Sequence, residues 1–179
     1  MNKIDADPHA GWDALPEAWL SDELPDHYAQ LSLVVCDHAP LLARPRLARA
    51  VFETVRASAD DAPGRLWGAL VMPELARVIV GPGDVNALDA YITAVKARSA
   101  ARVLALVRRS DDDSLDVVLR YSPVWGGAIY RVWQAGYHYQ ALWSEGQLSN
   151  ALYALAQRPV EAGLAEAPDA WPWLWLGGA

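Results

Sequence analysis

The chain has 179 residues, 53% of them hydrophobic, with 22 acids against 15 bases and a net charge of −7. That length suits one domain with a sizeable core, and the acidity argues against tight non-specific binding of nucleic acid. The lone Cys36 excludes an internal disulfide and fits a reducing compartment, no secretory leader pattern is seen, and no apolar run nears the ~20 residues of a membrane helix, so a cytoplasmic protein without a membrane partner is expected.

Residues 1–27 read as an acidic N-terminal arm, and residues 28–179 as the folded domain. Eight acids and one base fall within residues 1–37, which accounts for the whole charge deficit; residues 38–179 balance at 14 of each. The arm carries Trp12 and Trp19, which suit a latch onto the body, and a second reading makes it an acidic mimic of DNA. Residues 28–37 are rich in Leu and Val and predict the first strand. Pro45 fits the start of a helix to about Ala59, with Leu47, Val51 and Val55 at the 3.6-residue period.

Residues 66–72 and 75–80 predict two buried strands joined at Pro73-Glu74, since proline cannot continue a central ladder. Gly81-Pro82-Gly83 then reads as a break, and Asp84 as the N-cap of a long helix. Lys96, Arg98 and Arg102 cluster towards the C-terminal half of that helix. They fit either a phosphate-binding face or a solvated end that complements the helix dipole. Asp111-Asp112-Asp113 sit adjacent on a turn and do not converge as metal ligands would. Residues 130–143 predict the last strand and its lead-in, with His138 and Gln140 on one face. Ser144-Glu145-Gly146-Gln147 fits a capping box, Pro159 is expected to end the helix that follows, and an aromatic tail closes the chain through Trp171, Trp173 and Trp175. The whole reads as an α+β domain with an antiparallel sheet of four or five strands and helices mainly on one face, in β-α-β-β-α-β order.

Three short runs, in order, resemble one family. Val71-Met72-Pro73-Glu74-Leu75-Ala76-Arg77 stands where the single-tyrosine HUH transposases, in the REP-associated tyrosine transposase branch, read hydrophobic-Met-Pro-Asn-His-hydrophobic-His. Val132-Trp133-Gln134-Ala135-Gly136-Tyr137-His138 resembles the family's V-W-Q-R-G-Y-H, and Arg158-Pro159-Val160-Glu161-Ala162-Gly163-Leu164 its N-P-V-R-A-G-L. The resemblance covers the chain from about Tyr28 to the end. It implies a ferredoxin-like fold, single-stranded or hairpin DNA as partner, and a fold able to form a homodimer through edge strands; the overall acidity, the acidic arm and the aromatic ends point instead to a protein partner.

It also implies a metal site that this sequence does not write out. In the family two histidines at i and i+2 hold a divalent metal, which polarises a phosphate while a helical tyrosine attacks it. Here those positions are Leu75 and Arg77, so no cofactor is expected unless His38 or His138 replaces the missing ligands in space. The nucleophile position falls on Ala154; Tyr153 stands one residue early, a rotation of about 100° on a helix. Tyr153 with Gln157, four residues on and on the same face, is the pair that would sustain a residual nicking enzyme. The expected function is therefore DNA binding on a transposase fold without metal-dependent strand transfer. A protein-interaction module is the alternative and a tyrosine nickase the third reading. The expected DNA contacts are Arg77, Lys96, Arg98 and Arg102, with Arg77 either touching phosphate directly or paired to Glu74 or another acid.

Overall fold

A computed structural model describes residues 26–110, 120–121 and 129–177. Residues 1–25 of the acidic arm and the Asp111-Asp112-Asp113 turn lie outside the described residues, whereas His27, counted with the arm in the sequence, opens the first strand.

Strands β1 (His27–Val34), β2 (Arg65–Met72), β3 (Leu75–Gly83), β6 (His138–Leu142) and β7 (Leu174–Leu176) form one antiparallel sheet in the order β6-β1-β3-β2-β7. Two short strands, β4 (Arg120–Tyr121) and β5 (Ile129–Tyr130), pair separately. Without β7, the sheet is the four-stranded ferredoxin-like arrangement. Its split β-α-β connections lay α1 (Pro45–Ala57) and α2 (Val85–Arg108) on one face. The third helix, α3 (Glu145–Glu161), crosses the other face. Two of the three helices thus share a side, as the sequence pattern led one to expect.

Period-2 alternation sorts the strand side chains between two cores. Ala29, Leu31 and Leu33 of β1, with Ala76, Val78 and Val80 of β3, meet Leu47, Val51 and Val55 of α1 and Leu88, Ile92 and Val95 of α2. Leu70, Met72 and Ile79 face the other way and meet Leu148 and Leu155 of α3. The central strands are therefore covered on both sides, which explains their near-continuous apolar runs.

The local signals for helix starts hold. Pro45 opens α1. The Asp84 carboxylate accepts from the Ala87 N–H at 2.9 Å, and the Ser144 hydroxyl accepts from the Gln147 N–H at 3.2 Å. Gln147 reaches back to the N–H of Trp143, one residue further than in the standard box. Removing the cap with Ser144→Ala should cost about 1 kcal/mol, measurable as a lower urea midpoint at unchanged slope.

Four boundaries differ from expectation, each because a distant partner intervenes. The first strand ends at Val34, and the chain turns through Asp37 and His38, whose φ angles are 55° and 53°. The Gly81-Pro82-Gly83 break is instead the end of β3, with Gly83 opposite His27 across a register shift. Gly81 makes this join feasible: its φ is 125°, and a Cβ there would stand 2.7 Å from the His27 carbonyl oxygen. The final strand shrinks to five residues because Val132 and Trp133 are pulled into the α2 core, where the Trp133 indole N–H donates to Ser99 Oγ at 3.0 Å. Pro159 does not end α3, which continues to Glu161. Proline forfeits one helical hydrogen bond, and here its ring is buried against the body. The stop comes at Gly163, with φ 68°, where Leu164 N–H donates to the Pro159 carbonyl at 2.9 Å. This is the left-handed cap glycine supplies most cheaply.

The aromatic tail adds the fifth strand. The Trp171 indole N–H donates to the Val71 carbonyl at 2.9 Å, Trp173 meets Phe52 edge-on at 6.0 Å, and the Arg56 guanidinium lies 4.3 Å above the Trp175 ring.

Candidate functional site

Alternation along β3 places Leu75, Arg77 and Ile79 on the α3 face. Leu75 packs into the apolar cluster under α3. Arg77 stands further along, half-buried, opposite Ser32 of β1. Its Nε–H donates to Ser32 Oγ at 2.9 Å, which fixes the plane of the guanidinium and leaves the terminal NH₂ groups for another acceptor. No carboxylate among the described residues lies within ion-pair distance of it. Burial first, and the like charge of Arg158 second, push its pKa down. A cation held out of water without a counter-ion is costly, so the site favours an anion. Pairing with Glu74 does not occur, because Glu74 sits in the β2–β3 turn, three positions and hence the opposite strand face away.

Above Arg77, the sheet and α3 part to leave a cavity of about 350 Å³, lined by Gln30, Arg77, Gln140, Gln147, Asn150 and Ala154 among others. Gln30 comes from β1, Gln140 from β6, and Gln147, Asn150 and Ala154 from one stripe of α3. The Gln30 amide N–H donates to Gln140 Oε1 at 2.9 Å. Among the described residues no carboxylate lines the cavity.

Of the three positions that the resemblance implies for catalysis, Arg77 and Ala154 line this cavity and Leu75 packs beside it in the apolar cluster, and none of the three carries the chemistry. Leu75 offers no metal donor and Arg77 is a fixed cation, so this pair does not fit a divalent metal. Ala154 lines the cavity and has no nucleophile. Tyr153 is 69% exposed and turned away from it, and Gln157 does not line it either. The helix register is therefore not slipped to bring Tyr153 in. His138 lies opposite Ser32 in the same cross-strand row as Arg77, two strands off. His38 sits in the turn beyond β1. Among the described residues no three His, Cys, Asp or Glu side chains come together to hold a metal ion.

Lys96, Arg98 and Arg102 stand on α2, across the sheet from Arg77, and all three are engaged. The Lys96 ammonium donates to the carbonyls of Gln134 and Gly136, each at 2.6 Å. Arg98 pairs with Asp61 at 2.6 Å, and Arg102 with Glu53 at 2.9 Å. Hydrogen bonds from Arg49 and then Arg102 hold the Glu53 carboxyl below its ordinary pKa. The four basic residues singled out from sequence thus do not form one surface. What sequence reading missed is the ring of carboxamides. A signal existed: Gln30 and Ser32 are polar positions inside an otherwise Leu/Val-rich central strand.

A ferredoxin-like sheet with a polar cavity between its open face and a following helix defines the architectural class. Among solved structures, the chain is similar to the REP-associated tyrosine transposase bound to a REP hairpin, with a TM-score of 0.55 at 14% identity over 86% of this chain and 79% of that one. It is also similar to a candidate transposase from Deinococcus radiodurans R1, with a TM-score of 0.48 at 18% identity over 81% of this chain and 96% of that one. A third likeness, to a bacterial tRNA(His) guanylyltransferase-like protein in complex with GTP, has a TM-score of 0.49 at 12% identity over 81% and 70%. The chain has the fold of the REP-associated tyrosine transposase. No protein-family model matches it, and a search of curated proteins finds no match. No helix among the described residues is long and apolar enough to cross a membrane.

Proposed function

We propose that this protein binds single-stranded or hairpin DNA at the Arg77 cavity and does not carry out metal-dependent strand transfer. The observation that carries the reading is Arg77 itself: a half-buried guanidinium without a carboxylate partner, oriented by Ser32, at the position where the family's metal would meet a phosphate. A guanidinium binds phosphate through two parallel N–H donors and keeps its charge at any physiological pH. It can hold a backbone phosphate, whereas cleavage needs a nucleophile and a Lewis acid that Ala154, Leu75 and Arg77 do not supply.

The likeness to a transposase bound to a hairpin supports DNA as the ligand. The balanced charge of residues 38–179 sets the expected character of that binding: specific in shape and weak on plain duplex. The test is a titration of labelled hairpin, single-stranded and duplex DNA at low and moderate salt, with and without Mg²⁺ or Mn²⁺, each sample also run on a denaturing gel. Salt-sensitive hairpin binding without an adduct is expected. Tyr153→Phe should leave the gel unchanged from wild type, with no covalent species in either. A metal-dependent adduct lost in Tyr153→Phe would overturn the assignment. A chain that binds no DNA even at low salt would overturn the DNA reading and turn the search to a protein partner.

A further inference from the structure

The cavity is more particular than a phosphate cradle. Its rim is built from carboxamides, which both donate and accept, and among the described residues no carboxylate lines it to repel an anion. Two of these amides are set by local hydrogen bonds. Gln140 Oε1 accepts from Gln30, leaving the Gln140 NH₂ group over, and Gln147 Oε1 accepts from the Trp143 N–H at 2.6 Å, leaving the Gln147 NH₂ group over. Asn150 stands one turn along α3 from Gln147. Mixed donor and acceptor groups of this kind are how side chains read the edge of a nucleobase. The small Ala154 side chain keeps the α3 wall open where a larger one would fill the space. At about 350 Å³ the space falls within the range of small-molecule sites, roughly 300–1,000 Å³, and is too small for a duplex.

We propose that this cavity receives one unpaired nucleotide, its phosphate on the Arg77 guanidinium and its base edge on the amides of Gln140, Gln147 and Asn150. The proposal deepens the DNA-binding reading and rests on it for the source of the nucleotide. A base taken out of the stack into a pocket is read by its exposed edge and by apolar walls. Among the described residues no aromatic side chain lines this cavity, so discrimination falls to the amides rather than to stacking.

The experiment walks a single abasic residue through the single-stranded tail of a hairpin and measures affinity for wild type and for Asn150→Leu. Leucine favours helix, and position 150 is exposed, so the variant should melt like wild type. One tail position should lose about tenfold in wild type when its base is removed. The same removal should cost Asn150→Leu distinctly less than wild type, since one of the three amides that read the base is already gone. Hairpin binding with a flat abasic walk would overturn the nucleotide site and leave DNA binding standing. A second arm titrates nucleoside 5′-monophosphates into wild type and Arg77→Leu. If no hairpin binds but a monophosphate does, and Arg77→Leu abolishes it, the nucleotide site stands with a free nucleotide as its source and the DNA reading falls. Binding of neither probe overturns both.

Discussion

Arg77→Leu is expected to weaken hairpin DNA binding about ten- to hundredfold. A hydrogen bond to a charged group contributes about 1.5–3 kcal/mol, and about 1.4 kcal/mol is tenfold in affinity. The salt dependence should change in step: neutralising one phosphate fewer lowers the log–log slope by about 0.7 to 0.9. Arg77→Lys should recover only part of the loss, because an ammonium offers a point charge and not a planar fork. Thermal stability should change little with the leucine substitution: the hydrogen bond to Ser32 is lost, but so is the cost of a half-buried cation with no carboxylate partner, and the apolar cluster under α3 lies beside it. That combination, lower affinity with unimpaired stability, separates a binding role from a structural one. An unchanged affinity and slope would remove Arg77 from the site.

Leu155→Ala should destabilise the protein by about 2–5 kcal/mol, a large part of the ~5–15 kcal/mol that holds a typical domain. Leu155 is fully buried and anchors α3 to the sheet. It sits directly over Gly68 of β2, where a Cβ would stand 2.8 Å from its Cδ2 and 3.1 Å from that of Leu152. This close approach lets the helix lie low on the sheet and sets the height of the cavity next to it. Urea unfolding reads the loss, and a shift below 1 kcal/mol would mean the helix contributes little to the fold. Because α3 also carries Gln147, Asn150 and Ala154, the same variant should weaken nucleotide and hairpin binding without touching a lining residue.

Much of the architecture rests on signals only a few residues long. Pro45, Asp84 and Ser144 start helices because their side chains or fixed φ suit the first turn, whatever lies elsewhere. Period-2 alternation is equally local, so Leu75 and Arg77 share a face by necessity, and their side-chain chemistry excludes them as a metal-ligand pair. The one-residue offset between Tyr153 and Ala154 is likewise fixed by helix geometry, and the structure turns Tyr153 to solvent and Ala154 to the cavity.

The tertiary structure decided which distant side chains meet. Gln30 and Gln140 are joined only by the β1–β6 register, and Ser32 reaches Arg77 only through the β1–β3 register. No local pattern specifies such pairings, because a one-residue slip would carry every side chain to the other face. The same reason governs the basic residues. Lys96, Arg98 and Arg102 are positive in sequence and lie together on α2, yet in the fold they are engaged by Gln134, Asp61 and Glu53. Arg77, which looked from sequence as if it could pair with Glu74, is left facing an open, amide-lined space. Sequence alone therefore determined the β-α-β-β-α-β core order and the presence of Leu75 and Arg77, which cannot ligate a metal, on one strand face; it did not show the tail strand β7. The sheet registers and the seating of α3, fixed by burial of apolar surface across both faces, decided which of the four basic residues faces the amide-lined cavity.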